Sequence, residues 1–331
     1  MPSWPDDFSP IPDEPWTVQP LGDLARKYDT VEQHGWYDNL DRTVEQIRDT
    51  LPAGSRLLDY SGGTGILTRR LLRKIGDDPM GVVIVDSSPK FLRLALERSR
   101  GDDRVAFRLI RYLREHRRLQ TLAEVLPESL LGPGFDGLVS TNAIHLYYGL
   151  ADTLRSWHDA LRPGGHAFVQ SGNINNPDAA PGTWIIDETV EYIHRAAMQI
   201  VREDEGYRDY RAGLDDAEYM AAHDALRHKY FQPVRPLKTY VDQLAEAGFV
   251  DIESEARPVA ARVAEWCAFI SVYHEGVLGW VGGAEKVTGE PAPDRAIEHR
   301  KGLIELALDA VFEGRESFDA NWTYITCRRE G

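Results

Sequence analysis

Arg56-Leu57-Leu58-Asp59-Tyr60-Ser61-Gly62-Gly63-Thr64-Gly65 is a short apolar run that stops at an acid and gives way to small residues, and Ile66 to Ile75 behind it is amphipathic. The pattern predicts strand, tight turn, helix. Gly62, Gly63 and Gly65 carry no Cβ and can take positive φ, so a ligand can lie against the backbone where the new helix offers unpaired N–H groups. An acid at the strand end is awkward beside a pyrophosphate but suits a ligand with a cationic end, such as an amino acid ammonium group. A dinucleotide fingerprint would also want Gly or Ala three residues after Gly65, where Thr68 stands. The plain alternative is an ordinary glycine-rich βα turn that binds nothing.

The next unit repeats the logic. Gly81-Val82-Val83-Ile84-Val85-Asp86 reads as a buried parallel strand ending in an acid, followed by Ser87-Ser88-Pro89 and a helix from Lys90 to Arg98. An acid there can accept from two ribose hydroxyls, and its distance from the glycine turn is near the roughly 20 residues of one βαβ unit. Two linked features say more than either alone.

Bulk properties narrow the partners. A chain of 331 residues allows one large core with insertions or two domains. The excess of 53 Asp and Glu over 38 Lys and Arg, net −15, repels phosphate backbones and anionic headgroups, so a small-molecule substrate is expected rather than nucleic acid or a membrane. Arg111, Arg114, Arg117 and Arg118, interleaved with Glu115, read as a solvated helix face. Cys267 and Cys327 make no disulfide framework, no Cys/His spacing suggests zinc, no metal is expected, and a reducing cytoplasm fits. The N-terminus lacks a secretory pattern, and the most apolar stretch, Cys267 to Ala284, is interrupted by His274 and Glu275 and too short and glycine-rich for a membrane span. A homodimer is left open.

Residues 1–20 carry Pro2, Pro5, Pro10, Pro12, Pro15 and Pro20, which predicts an extended arm that Trp4, Phe8 and Trp16 could anchor. Helical spacing follows at Leu24, Tyr28 and Val31, then at Leu40, Val44, Ile47 and Leu51, with Pro52-Ala53-Gly54 as the stop. His34-Gly35-Trp36-Tyr37 between these pieces is either a packed junction or a lid over a ligand.

With these motifs placed, the chain resembles the class I S-adenosylmethionine-dependent methyltransferases. Leu58 to Gly65 is similar to that family's first motif, Asp86-Ser87-Ser88-Pro89 to its second, and Phe135-Asp136-Gly137-Leu138-Val139-Ser140-Thr141-Asn142 to its fourth-strand motif. Leu161-Arg162-Pro163-Gly164-Gly165 matches the turn before the family's fifth strand, and Leu244-Ala245-Glu246-Ala247-Gly248-Phe249 the lead into its sixth. The resemblance implies an α/β fold, a Rossmann-like seven-stranded, mostly parallel sheet with helices on both faces, and S-adenosyl-L-methionine as cofactor. It places Asp59 and Gly63 near the methionine part, Asp86 on the ribose hydroxyls and Ser87 at the adenine edge, with Ser61, Gly62, Gly65, Thr141 and Asn142 completing the site. The sequence departs from the pattern where Ser61 replaces the usual first glycine, which shifts the glycine pair. It departs again where Arg111 replaces the acid that reads adenine; Glu115 or Glu124 could substitute.

The expected layout is an arm (1–20), an N-terminal helical lid segment (21–52), the cofactor-binding core (53–172), a helical insertion (173–235), core continuation (236–256), a second helical insertion (257–318) and the last strand (319–331). Helices are expected at Asp187 to Arg202, Asp215 to Tyr230, Val259 to Leu278 and Asp294 to Phe312, and strands at Val105 to Ile110, Phe135 to Asn142, His166 to Ser171, Phe249 to Glu255 and Asn321 to Cys327. Both insertions are aromatic, and with residues 21–45 they should cap the ligand edge of the sheet. Ala143-Ile144-His145-Leu146-Tyr147-Tyr148 lies at that edge: His145 could take a proton from a hydroxyl or amine or simply pack, and Tyr147 and Tyr148 could stack on a flat substrate or begin a helix.

Methyl transfer is an in-line displacement that demands placement in a water-poor pocket, and a base only for some acceptors. Candidate bases are His145, His34, His194 and His274, with Tyr37 as a positioning residue. Three functions compete: a small-molecule methyltransferase acting on an aromatic or apolar metabolite at O, N or C; a nucleic-acid or protein methyltransferase, which would want a basic groove; and a protein that binds the cofactor for another reaction or for regulation.

Overall fold

The computed structural model describes residues 4–21 and 30–331, so the periodicity read at Leu24 and Tyr28 lies outside the described residues. Its strands are β1 (Arg56–Tyr60), β2 (Gly81–Asp86), β3 (Val105–Leu109), β4 (Phe135–Thr141), β5 (Leu161–Ser171), β6 (Phe249–Arg262) and β7 (Ser317–Arg329). They form one seven-stranded sheet in the order β6-β7-β5-β4-β1-β2-β3. The pairs from β3 through β5 are parallel, and β7 runs antiparallel between β5 and β6. Buried on every residue, β2 needs both faces covered.

The helices that cover them are α1 (Asn39–Thr50), α2 (Ile66–Ile75), α3 (Pro89–Arg98), α4 (Leu150–Ala160), α5 (Thr189–Glu203), α6 (Ala217–Tyr230), α7 (Leu237–Glu246), α8 (Val263–Val272), α9 (His274–Leu278) and α10 (Asp294–Phe312). Leu40, Val44, Leu71 and Leu92 of α1 to α3 share a core with Val82, Ile84 and Phe168 on one face. Leu154, Trp157, Tyr240 and Leu244 of α4 and α7 share the other with Leu58, Val83 and Leu138. Ser88 caps α3 by accepting from the Phe91 N–H at 3.3 Å, with Pro89 preset for the first turn.

The proline-rich arm lies along the free edge of β3, where the Phe107 N–H donates to the Pro10 carbonyl at 2.9 Å and the Arg108 guanidinium sits 4.0 Å over the Phe8 ring. Phe8 and Trp16 are buried. A strand edge that would otherwise template pairing with another chain is thereby closed.

Beyond β5 the helices α5, α6, α8, α9 and α10 pack into one body over the carboxyl edge. Trp184 meets Phe312 edge-on at 5.4 Å, and the Trp266 indole N–H donates to Thr189 Oγ1 at 2.9 Å. Arg300, buried on α10, donates to the carbonyls of Val281, Gly279 and Gly283 and so fixes the glycine-rich break.

Three expectations need correction. The strand expected to stop at Glu255 runs on to Arg262, paired with β7 as far as Ser317, so the helix expected from Val259 is displaced and split into α8 and α9. Val259, Ala261 and Val263 recur every second residue, a strand period that a helical reading of the following stretch absorbed. The Arg111 to Arg118 cluster is no helix face but a short ribbon pairing Tyr112 with Leu119 and Leu113 with Arg118, its turn made by Arg117 at a φ of 51°. The fifth strand starts at Leu161 rather than His166, with a register shift against β4 across the Pro163-Gly164-Gly165 turn.

Candidate active site

The glycine turn after β1 is shaped by its neighbours. Ser61 adopts a φ of 60°, and its hydroxyl lies 2.8 Å from the Tyr147 hydroxyl, which in turn lies 3.0 Å from Ser140 Oγ. The serine at the usual glycine position is thus tied down by a bond that glycine could not make. A Cβ on Gly62 would sit 2.7 Å from Asp59 Cγ and 2.9 Å from Ile84 Cγ2, so nothing larger fits. A Cβ on Gly63 would meet no atom within 4 Å, which leaves open space against this stretch of backbone. Gly65, at a φ of 75°, opens α2.

Two acids stand behind the turn. Asp59 is fully buried; its Oδ2 accepts the Thr68 hydroxyl at 2.6 Å while Oδ1 has no partner. Burial, with the Asp86 carboxylate adding to it, pushes Asp59 up to about 7 against the Thr68 bond. Asp86 accepts the Gly63 N–H at 2.9 Å and the Ser88 N–H at 2.7 Å, and burial still pushes it up to about 6. Each of its oxygens keeps a lone pair for a further donor. Ser87 is exposed beside it, and Thr141 ends β4 half-buried. The unpartnered Asp59 oxygen, the open space at Gly63 and the spare lone pairs of Asp86 suit a ligand with a cationic group and two vicinal hydroxyls, and the expected cofactor has both.

Among the other buried polar atoms without partners are Thr64 Oγ1 in the turn and, on α1, Thr43 Oγ1 and both side-chain atoms of Asn39. Neither α1 residue was among the sequence candidates. Asn39 and Thr43 are four apart on α1, each next to an apolar residue of the buried stripe, Leu40 and Val44.

At the end of β3, Arg111 is ion-paired with Glu14 of the arm, and the Trp16 indole N–H donates to Glu14 at 3.1 Å. Glu124 is occupied with Arg118 and with the Thr121 N–H. The carboxylate that meets Arg111 is Glu14, a pairing that the sequence reading did not consider.

A cavity of about 310 Å³ lies under the lid, and the three expected lid segments each contribute to its wall. Trp36 and Tyr37 come from before α1, Ile186, Asp187 and Phe231 from the first insertion, and Trp266, Phe269 and Tyr273 from the second. The sheet edge supplies Asn142, His145, Asn173 and Trp322. Asn142, at a φ of 52°, accepts the Trp322 indole N–H at 3.0 Å and so orients that wall. Trp36 stacks on Trp322 at 6.0 Å and meets Trp266 edge-on at 6.4 Å.

The candidate bases separate. His145 is buried, with Nδ1 3.0 Å from Ser171 Oγ and Nε2 3.1 Å from Asn173 Nδ2, and burial together with Arg235 lowers it to about 3. His34 flanks the cavity without lining it; its basicity is lowered by burial, partly offset by Glu265. His194 lies against Trp280, lowered by burial to about 4, and His274 contacts Arg300; neither lines the cavity. Tyr37 is in the wall, Tyr147 is committed beneath the glycine turn, and Tyr148 is exposed. The carboxyl in the wall is Asp187, just before α5, which the sequence reading passed over as the start of a helix. Burial pushes it up to about 7, opposed by a bond from Asn173.

Residues 58–167 match a protein-family profile described as "Methyltransferase domain". The ubiquinone/menaquinone biosynthesis C-methyltransferase UbiE of Coxiella burnetii is 30% identical over 192 residues, which cover 56% of this chain and 70% of that protein. The biotin biosynthesis bifunctional protein BioCD of Bordetella avium is 30% identical over 153 residues, 44% of this chain and 29% of that one. Among solved structures, the YcgJ protein of Bacillus subtilis aligns over 89% of this chain and 99% of its own, with a TM-score of 0.52 at 12% identity, a likeness of fold.

Proposed function

The chain belongs to the class I S-adenosylmethionine-dependent methyltransferases, and from that premise we propose that its acceptor is a small aromatic or otherwise apolar metabolite held in the cavity under the lid. The observation that carries this reading is the cavity itself, of a size typical for small-molecule sites, walled by the aromatic rings of Trp36, Trp266, Phe269 and Trp322 with polar groups such as Asn142, Asn173 and Asp187 set among them. S-adenosylmethionine supplies, when bound, an electrophilic methyl group on a cationic sulfur. Asp59 would face its cationic amino acid end and Asp86 its ribose hydroxyls. The lid aromatics exclude water and fix the acceptor's plane, which is most of what an in-line transfer requires.

Of the accepting atoms O, N and C, carbon has support from the relative UbiE, whose name makes it a C-methyltransferase of quinone biosynthesis. An electron-rich ring, a phenol or hydroquinone, fits both the cavity and that relationship. The test is turnover with methyl-labelled S-adenosylmethionine against phenols, hydroquinones, aryl amines, bulk RNA and a protein lysate. Label in the small aromatic compounds alone is the expected result. Label confined to protein or RNA, or cofactor bound with no transfer to any of these, refutes the reading.

A further inference from the structure

We propose that Asp187 takes the proton that the methyl acceptor gives up, with Asn173 and His145 as the residues that position it; this rests on the small-molecule reading above. The argument starts from Asn173. Its Oδ1 accepts the Asp187 backbone N–H at 2.8 Å, which fixes the amide orientation, so Nδ2 is the atom 3.1 Å from His145 Nε2. His145 Nε2 must therefore accept. The ring proton then sits on Nδ1 and points at Ser171 Oγ, 3.0 Å away, which also receives the Asn173 N–H at 3.0 Å. Both imidazole nitrogens are committed, so the histidine expected to act as base has no free lone pair.

What remains facing the cavity is the carboxyl of Asp187. Its Oδ2 lies 3.7 Å from His145 Nε2, beyond hydrogen-bond range, and its side chain keeps 12% of its surface accessible. Among the described residues it is the one acid in the cavity wall, and the wall's other titratable groups are Tyr37, Tyr230, Tyr273, His145 and Lys229. Arg235 stands behind His145, donating to its carbonyl at 2.7 Å. No guanidinium or ammonium is paired with Asp187 among the described contacts. A carboxylate in that setting holds its protonation change close to neutral pH, where a general base is most effective.

The step balances without another reactant. The acceptor's own electron pair forms the new bond to the methyl carbon, the carbon–sulfur pair stays on sulfur, and the acceptor's proton passes to an Asp187 oxygen and then to water when product leaves. For a phenol the proton comes from oxygen; for ring methylation it comes from the attacked carbon.

The test uses the full-length protein with Asp187→Asn and three measurements. Calorimetry with S-adenosylhomocysteine should give wild-type affinity and so certify the fold. With whichever phenol, hydroquinone or aryl amine turns over, kcat should fall on the order of 10²- to 10⁴-fold with KM changed by less than about threefold. Wild-type kcat should rise with pH through about 7, the carboxylate being the active form, and that limb should vanish in the variant. A kcat within threefold of wild type, a loss confined to KM, or a wild-type kcat flat from pH 5.5 to 8.5 overturns the assignment. If no acceptor turns over, the function reading fails on its own, and 4-nitrophenol binding still decides Asp187: at least a tenfold weaker affinity in the variant is expected, and equal affinity overturns it.

Discussion

Replacing Asp59 by Asn should make the cofactor-free protein more stable at alkaline pH and less stable at acidic pH, while weakening the cofactor at both. In the folded chain burial raises this carboxyl from 3.8 to about 7, whereas in the unfolded chain it titrates normally. The folded state therefore binds the proton more tightly, and its stability falls as pH climbs from about 4 to about 7. Three units correspond to about 4 kcal/mol lost by pH 8, at about 1.36 kcal/mol per unit. Asparagine has no charge to bury and can still accept the Thr68 hydroxyl, but its NH2 takes the place of an unpartnered oxygen, at a cost of about 1–2 kcal/mol. The net gain at pH 8 is about 2–3 kcal/mol. With an unfolding entropy of about 0.7 kcal/mol/K for 331 residues, that is a rise of about 3–4 °C in the melting temperature. At pH 4.5 the charge term has shrunk to about 1 kcal/mol and the amide's cost cancels or exceeds it. Calorimetric scans at pH 4.5, 6 and 8 check this, and a melting difference that does not change with pH refutes the picture of a buried, uncompensated carboxylate. S-adenosylmethionine affinity should meanwhile increase from pH 5 to 7 in the wild type and, in the variant, stay weaker and rise less steeply, because of the two acids behind the turn only Asp86 then titrates in that range.

Gly62→Ala should destabilise the protein by about 1–3 kcal/mol, because its Cβ overlaps Asp59 and Ile84, whereas Gly63→Ala, with open space around its Cβ, pays only about 1 kcal/mol for its left-handed backbone and should instead obstruct the cofactor; paired unfolding and calorimetric titrations separate the two. Asp86→Ala should weaken S-adenosylhomocysteine by about 1–3 kcal/mol, and unchanged affinity removes Asp86 from the ribose. His145→Gln should lower kcat by roughly tenfold or less, about 1.4 kcal/mol, and keep the rise of rate with pH, since the histidine positions rather than titrates; loss of the limb would return the base to His145. Trp16→Ala should lower stability by about 3–5 kcal/mol by opening the seat of the arm, read from denaturant unfolding.

What the sequence made legible was whatever lies within one period of the chain. The runs at Leu57-Leu58, Val82 to Val85 and Leu138-Val139 are apolar because both their faces are covered, and the acids and glycines that end them are local signals too. The superfamily, the sheet and the two acids follow from that. What stayed hidden depends on pairs far apart. Ser61 looks like a defect in the glycine turn until Tyr147, eighty-six residues later, is seen to bond its hydroxyl. Arg111 looks like an unanswered cation at the end of the third strand until Glu14, ninety-seven residues earlier, is seen to pair with it. Asp187 reads as the first residue of a helix, and only the Asn173 amide, fourteen residues back, turns it toward the cavity. Periodicity reports which face is buried; it does not report which polar group waits on the other side.

Asp59, Asp86 and Asp187 are all raised mainly by burial, and no basic side chain appears among the groups that shift them. In a chain that is already net −15, such groups cost stability and persist only if something repays them. The remedies differ. Asp86 is held by backbone N–H groups of Gly63 and Ser88, so it shapes the turn even before a ribose arrives. Asp59 has only a hydroxyl, and a cationic ligand is the partner that would let it ionise, so cofactor binding and its deprotonation should occur together. Asp187 has a bond from the Asn173 side chain, and it faces an aromatic cavity rather than the glycine turn. A positive ligand at the turn would not relieve it at once; a proton from the acceptor would. On this reasoning, the carboxyls nearest the turn select the cofactor by charge, and the one under the lid stays free to change its protonation during turnover.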